Sequence, residues 1–500
     1  MPVKRRLLEA LKPIRRNAFL VGLASLLWFL LRTGRKPSRA SYPCQQVAAS
    51  NSQVWLATYL LPTYWAVRER MPTLSGRARL VIAASLLLAS SALLYGAWGP
   101  RTVPEDDGDD STSALELAGW EASSSPASDI FVLSGTRGGD GGFEALLDLM
   151  REHGLPFYRS EAEGVNAGPA GLISADDVVL VKVNCQWDER GGTNTDLLRE
   201  IILAITEHPD AFTGEVVVAD NGQHQYGSSG QGGSFQWARN NAEDRGQSVQ
   251  RVVDSFSGIR VSCYLWDEIT DSRVEEYSSG DARDGFVVEE ARDPETGAMV
   301  SYPKFRTAHG TYVSFREGIW DPEAEAYDAE RLKVINVPVL KSHSIYGVTA
   351  CVKHYMGVPS EELTSSLGSS THDSVGRGGM GTLMAATRFP ALNVLDAIWV
   401  NANPRGSSGA GPSTPYEDST SIGVIAASTD PVALDRWAAE HVLMEAAPEG
   451  VSKASMDPTS EAAGSFGRWL KLSMEEMLRA GRWATTNEDH MNVYVESLQP

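Results

Sequence analysis

Lys341, His343, Lys353 and His354 fall within one short stretch, KSHSIYGVTACVKH. Lysine ammonium groups hold anions, while neutral imidazoles bind metal ions or move protons. If the strand ending at this point stays extended, Lys341 and His343 lie on the same side, because the strand period is two. Gly347 then allows a turn, and Lys353 and His354 return ten residues after His343. Other polar residues follow apolar runs elsewhere: Lys182, Asn184, Thr193 and Asn194; Asp220, Asn221 and His224; Asp396; Asp430 and Asp435. Lys182, Asp220, Lys341, His343 and Lys353 are expected to do the chemistry. Asn184, Thr193, Asn194, Asn221, His354, Asp396, Asp430 and Asp435 are expected to hold the ligand. His343 and His354 are the candidate ligands for a metal whose identity is unknown. Lys341, His343 and Lys353 should line one pocket with Lys182. Their mutual repulsion requires an anion or an acid such as Asp220 or Asp396 beside them. His343 is expected to serve binding more than stability. Asp430 also reads as a helix cap, and Asp435 as a partner of the same helix's dipole.

The elements that would position these residues are those of an α/β domain. Asp129, Asp177–Asn184 (DVVLVKVN) and Glu215–Asp220 (EVVVAD) begin or span near-continuous apolar runs, the pattern of strands buried on both faces. FEALLDLMREHG and DLLREIILAITEH lie between them as amphipathic helices. Strand, helix and strand at this spacing form a βαβ unit, hence a mostly parallel sheet with flanking helices. Ligands in such sheets bind beyond the carboxyl ends of the strands. Residues 222–330 are less regular: a helix is expected near Phe235–Phe256, strands near Arg260–Leu265 and Thr311–Ile319, and a surface lobe or insertion around 267–297. Arg331–Leu340, Ala391–Val400 and Ser421–Ala427 read as further strands. Thr429-Asp430-Pro431 reads as a helix start. The domain is expected over 129–447, with a helical tail over 448–500.

The rest of the chain has a different character. Residues 1–99 carry 14 Lys and Arg against Glu9 and Glu69, a net +12, and the remainder carries 30 basic and 62 acidic residues, a net −32. The acidic part repels nucleic acid, and the basic part suits anionic membrane lipids. Residues 80–98 (LVIAASLLLASSALLYGAW) lack charge between Arg79 and Arg101. As a helix they would cover roughly 28 Å, close to the hydrocarbon thickness. An all-α membrane region over 1–99 is therefore expected, anchored by 80–98, with 17–31 as a second candidate and one to three spans in all. Residues 100–128, rich in Asp, Glu, Ser and Pro, read as a disordered acidic linker. Arg68, Arg70, Arg77 and Arg79 before the span, and acids after it, place the folded domain outside the cytoplasm by the positive-inside rule.

Cys44, Cys185, Cys263 and Cys351 form no CxxC pair, so the chain carries no iron–sulfur cluster motif. Gly376–Gly381 matches GxGxxG literally but follows a polar loop, not a strand, and reads as a flexible loop entering a helix.

Several segments together resemble the domain-of-unknown-function 362 family. They are VLVKVNCQ (179–186), EVVVADNG (215–222), VPVLKSHSIYGVTACVKHYMGV (337–358), His372, LNVLDAI (392–398) and GVIAASTDPVALD (423–435). The resemblance spans roughly 129–447. It implies an α/β domain, in some members associated with iron–sulfur proteins, and no general reaction. This chain departs from cluster-bearing members in lacking their cysteine run, and it has Lys353-His354 where many members have Lys-Asn. Two functions remain open. One is an enzyme acting on a small anionic or metal-bound ligand. The other is a non-catalytic, membrane-tethered binding or assembly module.

Overall fold

The computed structural model describes residues 127–161, 166–222, 233–365, 371–403 and 414–498. All of them belong to one of the two compact units into which the chain divides. The expected membrane region, nearly all of the expected linker, and His224 lie outside the described residues. Among the described residues no helix is long and apolar enough to cross a membrane.

The fold is a mixed α/β one built on a ten-stranded sheet. Strands in chain order are β1 (Ser128–Ser134), β2 (Val178–Lys182), β3 (Glu215–Asp220) and β4 (Val261–Leu265). A lobe follows, with β5 (Gly285–Arg292), β6 (Met299–Arg306), β7 (Tyr312–Ser314), β8 (Gly318–Asp321) and β9 (Ala326–Asp328). The main sheet resumes with β10 (Leu332–Asn336), β11 (Val339–His343), β12 (Gly347–Thr349), β13 (Leu392–Asn401), β14 (Thr420–Ser428) and β15 (Met491–Ser497). Their order is β15-β1-β14-β13-β10-β2-β3-β4, with β11 on β13 and β12 on β11. The run β13-β10-β2-β3-β4 is parallel, while β14 is antiparallel to both its neighbours.

The helices are α1 (Gly142–Glu152), α2 (Thr195–Thr206), α3 (Val249–Asp254), α4 (Cys351–His354), α5 (Glu361–Thr364), α6 (Gly379–Ala386), α7 (Pro431–Ala438) and α8 (Phe466–Arg479). Alternation along β2 sends Val178 and Leu180 into one core and Val179, Val181 and Val183 into the other. Helices α1, α2 and α3 fill the second core, with Leu146, Leu197, Ile201 and Val252. The lobe, α6, α7 and α8 fill the first, with Phe305, Leu383, Leu434 and Trp469. The central strands are therefore covered on both faces, which is why they read as apolar runs.

Several expected elements are divided. Arg331–Leu340 becomes β10 and β11, parted at Val337-Pro338, where the proline has no N–H for a ladder. Thr311–Ile319 becomes β7 and β8, joined by a turn in which the Glu317 N–H donates to Ser314 Oγ. The helix expected near Phe235–Phe256 shrinks to α3. Asn240 and Asp244 accept from the backbone of Ala242 and Gly246, turn bonds that compete with a helix. The lobe expected around 267–297 is a five-stranded antiparallel sheet reaching Asp328. The helical tail holds α8 as expected, and also β15, which runs parallel to β1.

Candidate functional site

Two buried polar groups meet where β2, β3 and β11 end. The first centres on Lys182, the last residue of β2, which is 0% exposed. Its Nζ donates to Asp220 Oδ1 at 2.9 Å and lies 3.2 Å from His354 Nε2. Asp220 ends β3, and its Oδ2 accepts the Cys185 N–H at 2.9 Å. Burial pulls the Lys182 ammonium down and pushes the Asp220 carboxyl up, and the attraction between them opposes both shifts. A Cβ on Gly357 would stand 2.5 Å from Asp220 Oδ1 and 2.7 Å from Lys182 Nζ, so only glycine lets the backbone close over this pair.

The second group is basic. Lys341 and His343 lie two apart on β11, and Thr349 is the cross-strand partner of Lys341 on β12. Paired residues point to the same face, so Lys341, His343 and Thr349 share one. The hairpin turn needs Gly347 at φ 77°, where a Cβ would strike the Ser455 carbonyl oxygen. His343 Nδ1 accepts the N–H groups of Ile345 and Tyr346, both at 3.1 Å, and so fixes the turn. His343 thus has a structural contact as well. The tail holds the same turn from outside: Trp469 Nε1 donates to the Tyr346 carbonyl at 2.8 Å.

Lys353 comes from α4, whose first N–H groups, those of Cys351 and Val352, donate to Asp435. His372 stands with its ring 5.8 Å from His343 and 5.1 Å from Tyr346, and the Tyr346 hydroxyl donates to the His372 carbonyl. Lys341 Nζ donates to the Gly191 carbonyl at 2.7 Å. The Lys353 ammonium lies 5.8 Å from the Tyr346 ring, and among the described residues it has no hydrogen-bond or ion-pair partner. Burial lowers Lys353 to about 7; Glu361, the nearby acid, opposes that. Burial also lowers Lys341 to about 7, reinforced by Lys353 and opposed by Asp220 and Asp396. Burial and then the Lys353 charge push His343 and His372 well below the usual imidazole value. Glu361 is buried, raised to about 7, and accepts the His372 N–H at 2.7 Å.

Lys182, Asp220, Lys341, His343, Lys353 and His354 therefore lie in one region of the fold, with Asp220 against Lys182. Asn184 joins them at the end of β2: it is 7% exposed, and its Oδ1 has no hydrogen-bond partner among the described residues. The buried Thr349 Oγ1 has none either.

Other expected ligand-holding residues are engaged by the fold itself. Asn194 caps α2, accepting from Asp196 and Leu197, and Thr193 donates to the Val337 carbonyl. Asp396 accepts from the Asn194 N–H, the Asn241 amide and the Ile398 N–H. Asp430 caps α7 and also accepts from Ser128 and Thr485, while Asp435 caps α4. Asn221 donates to the Pro359 carbonyl at 2.6 Å. These residues hold the surrounding elements together through their own hydrogen bonds.

The two candidate metal ligands are apart in role. Both ring nitrogens of His354 have hydrogen-bond partners among the described residues, Nδ1 with Asn336 and Nε2 with Lys182 and Val183. Among the described residues no group of three His, Cys, Asp or Glu is placed to hold an ion. Asn336, Thr349 and Glu361 were not singled out from the sequence. Asn336 carried a signal, as a lone amide inside the apolar run RLKVINVPVL.

The family model described as Domain of unknown function (DUF362) matches residues 323–440. That segment of the chain is similar to the family. The matched segment includes Lys341, His343, Lys353, His354, Glu361 and His372, whereas Lys182 and Asp220 precede it. No curated protein matches the chain, and no solved structure does.

Proposed function

We propose that the crevice beyond β2, β3 and β11 binds a small anion, such as a phosphate or carboxylate group, and that the DUF362 segment supplies most of the contacts. The observation that carries this reading is Lys353, a residue 6% exposed whose ammonium has no acceptor among the described residues, close to Lys341, His343 and His372. Buried cations are ordinarily paired. A bound anion would supply the missing charge, and Asn184 and Thr349 offer neutral hydrogen bonds beside it. The test is calorimetric titration of inorganic phosphate into the detergent-purified full-length chain. Binding in the wild type, weakened at least tenfold by Lys353→Met, is the expected result. Equal affinity in the two proteins would falsify the reading.

We also propose that residues 1–99 tether this domain to a membrane, with the domain outside the cytoplasm. The support is the uncharged run 80–98 and the Arg cluster that precedes it. Protease added to intact cells stripped of any outer layer should remove the domain. Digestion only after lysis would reverse the orientation.

A further inference from the structure

The polar chain behind His354 has a fixed direction. The Ser428 and Cys351 carbonyl oxygens accept only. Asn393 Nδ2 lies 3.2 Å from the first, and Asn336 Nδ2 lies 3.1 Å from the second and 2.9 Å from Asn393 Oδ1. Both amides are thereby oriented, and Asn336 turns its Oδ1 to His354 Nδ1 at 2.7 Å. His354 Nδ1 must carry a proton.

The other ring nitrogen faces two partners with opposite demands. Nε2 is 3.0 Å from the Val183 carbonyl oxygen, which requires a proton on the ring, and 3.2 Å from Lys182 Nζ. An ammonium at Lys182 requires a lone pair on the ring. The remaining neighbours do not settle the matter. Asp220 pairs with Lys182, and the Cys185 thiol lies near Lys182. Lys341 and Lys353 are the other charges facing the ring, and Gly357 covers the pair with backbone.

We propose that Lys182 and His354 share one transferable proton and form an acid–base group built into the floor of the crevice. In one state Lys182 is an ammonium, donating to Asp220 and to the Nε2 lone pair. In the other, an N–H bond of Lys182 has broken, its electron pair stays on Nζ as an amine, and Nε2 has gained the proton and donates to Val183. The total charge is the same in both states. A group of this kind serves proton transfer to or from an anionic substrate, which would make the domain an enzyme. The inference extends the anion-binding reading, but its test needs no ligand: loss of phosphate binding would leave the shared proton standing, and the reverse.

The test is ring-nitrogen NMR of the full-length chain labelled with ¹⁵N-histidine. His354 should show a protonated Nδ1 and an Nε2 resonance between the protonated and unprotonated positions. In Lys182→Met, Nε2 should move to the protonated position, with Val183 as its sole partner. Should that variant not fold, the wild type still reports, because a shared proton gives Nε2 a large shift between H₂O and D₂O. A wild-type Nε2 fixed at either extreme, without that isotope response, overturns the proposal.

Discussion

Lys304 in the lobe and Lys353 in the crevice are both buried lysines, kept there by opposite means. Lys304 is 0% exposed; its Nζ donates to the Asp281 carbonyl and lies 4.0 Å from the Tyr277 ring centroid. Asp281, Glu276 and Asp284 surround it with negative charge. Lys353 has a more distant ring and one nearby acid, Glu361, which already holds the His372 N–H and the Ser365 hydroxyl. The protein completes the first lysine's environment and leaves the second's incomplete. Burial of a cation therefore says little about function, and the inventory of its partners says more.

That contrast can be tested by substitution. The largest effect should come from Asp220→Asn, which leaves Lys182 buried beside no carboxylate. Loss of one partner from a buried pair costs about 3–5 kcal/mol, to be read from urea denaturation. Lys304→Met and Lys353→Met should then move stability in opposite directions. The first leaves the Asp281 carbonyl without its donor and should cost roughly 1–3 kcal/mol. The second removes an unpaired cation and should stabilise by about 1–2 kcal/mol while weakening phosphate binding. Shifts of the same sign would end the distinction between the two lysines. His343→Ala should cost roughly 1–2 kcal/mol, since it strips the acceptor from two N–H groups of the turn. An unchanged melting temperature would show that the turn holds without it.

The smallest effect is in the pH profile. Glu361 and Asp435, both raised to about 7, stabilise the fold below their unfolded values of 4.5 and 3.8. That stability is lost as pH rises through 7. Lys341 and Lys353, lowered to about 7 from 10.5, release their protons in the folded chain first, so their contribution to stability rises with pH above 7. These four groups together should give a stability minimum near neutral pH in anion-free buffer. Phosphate should fill it, with a larger melting shift at pH 6 than at pH 9. A phosphate shift independent of pH would mean that the lysines do not hold the anion.

Much of this arrangement was legible in the chain. The apolar runs around Val178 and Glu215 announced strands covered on both faces, and Lys341 and His343 were placed on one face by strand period alone. The alternation of strands and helices implied the ends at which Lys182 and Asp220 would meet. What could not be read was which polar residues the fold would engage for itself. Asn194, Asp396, Asp430 and Asp435 have the same chemistry as ligand-binding groups, and only the positions of distant N–H groups decide otherwise. The approach of His372 and Trp469 to the turn at Tyr346 depends on packing between segments far apart in sequence, which periodicity does not encode. The strand β15 was hidden because most of its residues are exposed at a sheet edge and lack the apolar run of a central strand.

The pairing of β15 with β1 brings together residues such as Asp129 and Asn492, which are 363 positions apart. Closing so long a loop is slow relative to local contacts. During synthesis β1, β2 and the crevice lysines emerge well before Trp469 and β15. The turn at Tyr346 lacks its Trp469 clasp, and the sheet its edge strand, until nearly the whole described chain has left the ribosome.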